Sequence, residues 1–150
     1  MLDIIAHNIR SAENVGSLIR TMDGLGAHKI WLTGYTPNIT HSKVQKTALG
    51  ADKNIFLEKV LDVDEVFVRL REMGFEIIGL ELDKVSKKLS KVNFNNRNIA
   101  LLLGNEVEGI PNYLRSRCDE LVYIPQKGIK ESLNVAIATA IAMWEILKNN

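Results

Sequence analysis

A chain of 150 residues with 46% hydrophobic and 25% charged side chains is long enough to bury one core and predicts a single domain over 1–150. Its net charge of +1 neither marks nor excludes a nucleic-acid partner, since a local patch binds phosphate whatever the total. The lone cysteine, Cys118, excludes an internal disulfide and a cysteine-cluster metal site, and His7, His28 and His41 are too scattered for a zinc motif. The longest apolar run, Val135 to Trp144, is half of the roughly 20 residues a membrane span needs. No basic signal-like start precedes it, so a soluble, cytoplasmic protein without membrane contact or targeting segment is expected.

In chain order, LDIIA (Leu2 to Ala6) reads as a strand followed by a helix over about Asn14 to Leu25. KIWLT (Lys29 to Thr33) leads to a helix over Ser42 to Leu49, and NIFL (Asn54 to Leu57) to one over Val63 to Met73. FEIIGLE (Phe75 to Glu81) enters a polar loop with Lys84, Lys87, Lys88 and Lys91, which reads as a solvated surface run. NIALLL (Asn98 to Leu103) precedes a short helix over Pro111 to Arg117, and ELVYIP (Glu120 to Pro125) precedes one over Ser132 to Lys148. This alternation predicts an α/β domain: a mostly parallel sheet with helices on both faces. In the last helix, Ala136, Ala138, Ala140 and Ala142 alternate with large apolar residues, which predicts burial nearly all round. Alanine faces permit close helix approach, so one side is expected to meet a second subunit, with packing inside one chain as the alternative.

Three segments carry polar residues that neither core nor surface demands: His7 to Thr21, Leu103 to Pro111 and Ile124 to Ala136. In the first, Asn14 is able to cap a helix and Gly16 leaves room for close approach by backbone or ligand. Arg20 lies among Leu18, Ile19 and Met22, where an Asp23 pair at the surface would contribute little. In the second, a hydrophobic strand ends in Gly104, Asn105 and Glu106, with Gly109 and Pro111 beyond. That is the position where open α/β sheets bind ligands, although an ordinary turn is the simpler alternative. In the third, Ser132 is a good helix cap by type, whereas Asn134 is a modest helix former set before a nearly all-apolar run.

Together these segments resemble the three signature motifs of the SpoU/TrmH branch of the SPOUT RNA methyltransferases. Asn14 is followed six residues later by Arg20; Gly104, Asn105 and Glu106 are followed by Gly109; and Ser132-Leu133-Asn134-Val135 opens the alanine-rich helix. The resemblance runs from Asn8 to Glu145. It implies a trefoil knot in the C-terminal part, which no periodicity would suggest. It also implies S-adenosylmethionine as methyl donor, no metal, a ribose 2′-hydroxyl in tRNA or rRNA as acceptor, and a homodimer that completes each site from two subunits.

The resemblance places Arg20 and Asn14 at the methyl acceptor. A guanidinium with a pKa above roughly 12 rarely releases its proton, so Arg20 is better suited to bind the adjacent phosphate and stabilise the 2′-oxygen. Glu106 would hold the geometry by accepting from Asn14 or from an arginine, keeping Arg20 oriented. Ser132 and Asn134 would line the site near substrate and cofactor, Ile124 and Leu133 would wall the adenine, and backbone groups of Leu80, Gly104 and Ile124 would recognise the cofactor. Leu103, Asn105 and Gly109 belong to the same cofactor set, and Glu81 would reach a ribose hydroxyl.

The first motif begins eight residues from the start, so RNA recognition is expected from the catalytic domain, its dimer partner or an auxiliary protein. Base methylation by the same fold, and a catalytically silent RNA-binding or assembly protein, are the alternatives. The phosphate-cradling patterns G-x-x-x-x-G-K-[ST] and G-x-G-x-x-G are missing from the sequence.

Overall fold

Every residue of the first strand, β1 (Leu2–His7), is buried, as expected of a parallel strand covered on both faces. The structure, a computed structural model, describes residues 1–129 and 132–148. After β1 come α1 (Ala12–Leu25), β2 (Lys29–Thr33), α2 (Ser42–Ala48), β3 (Phe56–Val60), α3 (Val63–Glu72), β4 (Glu76–Leu80) and β5 (Lys87–Lys88). The remainder is β6 (Ile99–Leu103), α4 (Asn112–Arg115), β7 (Glu120–Tyr123) and α5 (Val135–Leu147). The strands form one 7-stranded sheet in the order β3-β2-β1-β6-β4-β7-β5, parallel at each pairing.

Successive side chains of a strand point to opposite faces, and two cores follow from this. Ile4, Ala6, Leu101 and Leu103 pack with Val15, Leu18 and Met22 of α1 and Met143 and Ile146 of α5. Ile5, Ala100 and Leu102 face the other way, toward Val66, Phe67 and Leu70 of α3 and Leu114 of α4. Helices therefore cover both faces, as the alternating pattern predicts. Because the strands are parallel, the ends of β1, β4, β6 and β7 share one edge, and the three polar segments leave the sheet there.

The structure departs from the sequence reading in several places, α1 beginning at Ala12 and α4 ending at Arg115 among them. β3 begins two residues later than expected: Phe56 is 66% exposed while Ile55, just before the strand, is buried. This is an edge strand, and its Glu58 pairs with Lys29 and Arg69, charges that discourage edge-to-edge pairing. The lysine run contributes β5 through its backbone, with Lys87 Nζ 2.6 Å from Glu120 Oε1. α5 begins at Val135 rather than Ser132, with Asn134 as its cap.

Nor is α5 buried all round. Ala136, Thr139, Ala142, Met143 and Ile146 face the core, while Ile137, Ile141 and Trp144 are 55%, 42% and 61% exposed. Uniform hydrophobicity conceals two faces: one, with Met143 and Ile146 among its smaller residues, packs on the core beside α1 of the same chain, and Ile137, Ile141 and Trp144 form a solvent-facing stripe at helical spacing.

The histidines are explained locally. His7 Nδ1 lies 2.9 Å from Thr33 Oγ1, His28 bonds Asp3, and His41 caps α2. Burial, with help from the Asp119 charge, pushes the Cys118 thiol up to about 12, so it is inert as a nucleophile.

Candidate functional site

Two capping choices decide what the polar side chains are free to do. Ser11, not Asn14, caps α1, its hydroxyl accepting from the Asn14 amide at 3.1 Å. The Asn14 side chain is thereby released toward the other segments. Its Nδ2 donates to Glu106 Oε1 at 3.0 Å, and its Oδ1 accepts from Asn134 Nδ2 at 3.1 Å. Asn134 Oδ1 in turn accepts from the Ala136 and Ile137 amides at the start of α5.

The polarity of this chain is forced. An ionised carboxylate only accepts, so Asn14 must turn its NH₂ to Glu106 and its oxygen to Asn134, leaving the Asn134 oxygen for the helix end. One connected series of bonds thus joins all three segments. Glu106 also accepts from the Arg10 amide at 2.9 Å and the Ser11 amide at 3.0 Å. Burial pushes the Glu106 carboxyl up, but these two amides and Asn14 outweigh it and hold the group below its ordinary range.

The second segment is organised by Asn105. Its backbone exchanges hydrogen bonds with Gly109 at 3.1 and 2.9 Å, and its Oδ1 accepts from the Val107 and Glu108 amides. Its Nδ2 donates to Asn8 O at 3.0 Å and to Tyr35 Oη at 2.7 Å. A Cβ at Gly104 would collide with the Gly109 carbonyl and the Ile110 amide, and Gly109 itself has φ +69°. The loop's own closure therefore requires glycine at 104. Gly16 is likewise needed by the approach of Thr47 and Val44 of α2.

A cleft opens beside this loop. Leu80, Glu81, Leu103, Gly104, Asn105, Glu106, Gly109, Ser132, Leu133, Val135 and Ala138 are among the residues lining a cavity of 230 Å³. Leu80, Glu81, Tyr123, Ile124, Ser132, Leu133 and Ala138 contribute to an adjoining one of 140 Å³. The two share Leu80, Glu81, Ser132, Leu133 and Ala138 as walls of a cleft at the strand ends, and every residue expected at the cofactor site lines one or the other. Glu81 is half-buried there, its Oε2 accepting from the Ile110 amide at 2.8 Å and its Oε1 from Leu82 at 3.1 Å. Lys130 and Glu131, which belong to the third segment, lie outside the described residues.

Asn14, Glu106 and Asn134 are therefore brought together, with Ser132 in the adjoining wall. Arg20 is not. Six residues along α1 carry it roughly 9 Å down the axis and onto another face. It is exposed and lines a groove of 570 Å³ with Ser17, Thr21, Lys46, Thr47 and Leu49. Among the described residues its side chain has no hydrogen bond or ion pair, and Asp23 accepts from Asn54 instead. Glu106 binds the backbone of Arg10 rather than an arginine side chain, so within one chain it does not orient Arg20. The sequence reading also passed over Tyr35, whose only signal is its place at the end of β2.

The profile of the SpoU rRNA Methylase family matches residues 1–144. The chain is 28% identical over 145 residues to a tRNA (guanosine(18)-2′-O)-methyltransferase of Aquifex aeolicus, covering 96% of this chain and 67% of that protein. It is 28% identical over 145 residues to a 23S rRNA (guanosine-2′-O-)-methyltransferase of Bordetella pertussis, covering 97% and 58%. An AdoMet-bound rRNA methyltransferase from Sinorhizobium meliloti superposes with a TM-score of 0.91 at 30% identity, over 99% of this chain and 56% of that one. The chain thus spans little more than half to two thirds of the length of these three proteins. With Asn14, Glu106 and Asn134 joining the three motifs by hydrogen bonds and the family profile running from Met1 to Trp144, the chain belongs to the SpoU rRNA Methylase family.

Proposed function

We propose that this chain is an S-adenosylmethionine-dependent methyltransferase that modifies a ribose 2′-hydroxyl in tRNA or rRNA. The observation that carries the reading is the Glu106–Asn14–Asn134 series of hydrogen bonds, which starts from a carboxylate lining the cleft. The relatives named above act on guanosine 2′-oxygens in tRNA and 23S rRNA, which supports the substrate class. Transfer of labelled methyl groups from S-adenosylmethionine into RNA tests it.

The residues fit the donor. Leu80, Ile124 and Leu133 give the cleft apolar walls suited to an adenine, and Glu81 stands at its polar side with lone pairs beyond its two amide bonds. The bound donor supplies an electrophilic methyl on a positive sulfur. Asn14 and Asn134 fix the edge of the cleft at which the ribose would be aligned, and such alignment lowers a barrier by up to roughly 7 to 11 kcal/mol. No metal enters this scheme. Leu133, 40% exposed in the wall of both cavities, is open to a direct test. Leu133→Asp is expected to weaken S-adenosylmethionine binding at least about tenfold, because burying a carboxylate against a ligand costs more than 1.4 kcal/mol. Calorimetry on the folded variant checks it, and unchanged affinity would move the pocket elsewhere.

A homodimer belongs to the same proposal. Ile137, Ile141 and Trp144 form an exposed apolar stripe on the helix that Asn134 caps, and Arg20 has no partner among the described residues of its own chain. Arg20 then serves a site completed by the second subunit. Sedimentation is expected to give twice the 16.8 kDa chain mass, and Ile141→Glu is expected to give monomers at micromolar concentration. A wild-type monomer that still methylates RNA would contradict this.

The trefoil knot is also part of the reading. It is supported by the insertion of β4 between β6 and β7 in the sheet and by the return of α5 onto α1. Residues 1–150 are taken as one methyltransferase unit. Among the described residues no helix is long and apolar enough to cross a membrane, and a cytoplasmic location suits RNA modification.

A further inference from the structure

Resting on the RNA-modifying reading above, we propose that Tyr35 is a stacking surface for a nucleobase of the substrate RNA beside the methyl-acceptor site. An exposed aromatic on a loop is ordinary; the way this one is held is not. Its ring is in neither core cluster and the residue is 59% exposed. Its backbone is nonetheless pinned on both sides: Tyr35 N donates to Asn8 Oδ1 at 3.2 Å, and Lys59 Nζ donates to Gly34 O at 2.5 Å and to Thr36 O at 2.7 Å. Thr36 Oγ1 donates to Ala6 O at 2.8 Å and accepts from the Ile9 amide at 3.0 Å. Two residues of this arrangement, Asn8 and Gly34, adopt positive φ values of 56° and 58°. The far end of the ring is fixed as well, by Asn105 Nδ2 on Tyr35 Oη at 2.7 Å.

None of these bonds is needed to bury the ring; together they present it to solvent in one orientation. A pre-oriented ring loses little rotamer freedom when a flat partner covers it. Its location selects the partner. Asn105, which holds the phenol, is followed directly by Glu106, the carboxylate bonded to Asn14. Arg10 donates its backbone amide to the same Glu106 carboxylate, while Arg10 is exposed and its side chain makes no ion pair or hydrogen bond among the described residues. A fixed aromatic face and a free guanidinium flanking one site match the alternating bases and phosphates of single-stranded RNA.

The test uses the whole chain and its Tyr35→Ala, Tyr35→Leu and Tyr35→Phe variants. Fluorescence anisotropy at one salt concentration would measure binding to labelled oligoadenylate of about 12 nucleotides, within the span of known single-strand sites, and to the same backbone with abasic riboses. Tyr35→Ala and Tyr35→Leu are expected to weaken oligoadenylate binding by about 5- to 150-fold, the range carried by one base–aromatic stack. Tyr35→Phe keeps most of the affinity, and all four proteins bind the abasic strand alike. The proposal is overturned by any of four results: unchanged affinity in Tyr35→Ala, rescue by leucine, an equal fold-loss on the abasic strand, or a wild-type chain that does not bind oligoadenylate. Calorimetry with S-adenosylmethionine on the same samples separates the two levels. A wild-type chain that binds the donor while Tyr35→Ala binds RNA normally removes Tyr35 alone, whereas a chain that never binds the donor removes the methyltransferase reading.

Discussion

Arg20→Ala is expected to lower methyl transfer by about 10²-fold or more, the scale of losing one preorganised oxyanion donor, while S-adenosylmethionine affinity stays nearly intact. The separation follows from position. Arg20 lies in the α1–α2 groove with Lys46 and Thr47 and lines neither cavity of the cleft. With no partner among the described residues, its removal leaves no local charge uncompensated, so the fold is expected to tolerate the change. Arg20→Lys should recover little, since a point charge does not reproduce the planar fork that grips a phosphate or a developing oxyanion. Single-turnover transfer is the measurement, and near-normal rates in Arg20→Ala would remove the residue from the mechanism. Mixing Arg20→Ala with Glu106→Gln chains adds a sharper result: if each site takes its arginine from the other subunit, mixed dimers hold one intact site and recover activity.

Glu106→Gln is the second large effect. Three donors, the Arg10 and Ser11 amides and Asn14 Nδ2, converge on the two carboxylate oxygens. Glutamine has the same shape but one oxygen, so at least one donor must face an NH₂ group. Leaving such a group unsatisfied costs about 1 to 3 kcal/mol, or roughly 2 to 10 °C in Tm for a chain of this size. The amide also frees Asn14 to flip, which misaligns Asn134, and a misplacement near 1 Å costs about 10²-fold in rate. The carboxyl is held below its ordinary range, so its stabilising contribution is complete above the unfolded value near 4.3 and disappears as pH falls through the lower folded value. The Tm difference between wild type and Glu106→Gln is therefore expected to be largest near neutrality and to shrink below about pH 4. A difference that grows in acid would contradict the assignment.

Much of this was readable from residue order because hydrophobic runs set the strands, and the polar residues at their ends had no local reason to be there. Five of the six expected strands overlap the observed ones closely. The caps were less legible. Asn14 and Ser132 are good cap formers by type, yet Ser11 and Asn134 take those positions, because backbone direction at the helix entry decides between neighbouring candidates. That reversal is what releases Asn14 for the site. The faces of α5 were hidden because nearly every position is apolar: Ile146 is buried while Ile137 and Ile141 are exposed, so neither polarity nor residue type records which side packs on α1. Arg20 and Asn14 are close in sequence, and helical rotation separates them. Tyr35 was invisible for the opposite reason: it is held by Asn8 and Asn105, 27 and 70 residues away.

The most direct test of the ribose assignment is the chemical position of the transferred methyl. RNA from cells lacking the gene, incubated with the wild-type chain and labelled S-adenosylmethionine, would be digested with alkali, which needs a free 2′-hydroxyl to cut. The predicted result is label confined to alkali-resistant dinucleotides. Label released in mononucleotides would show that the methyl is on a base and contradict the ribose reading.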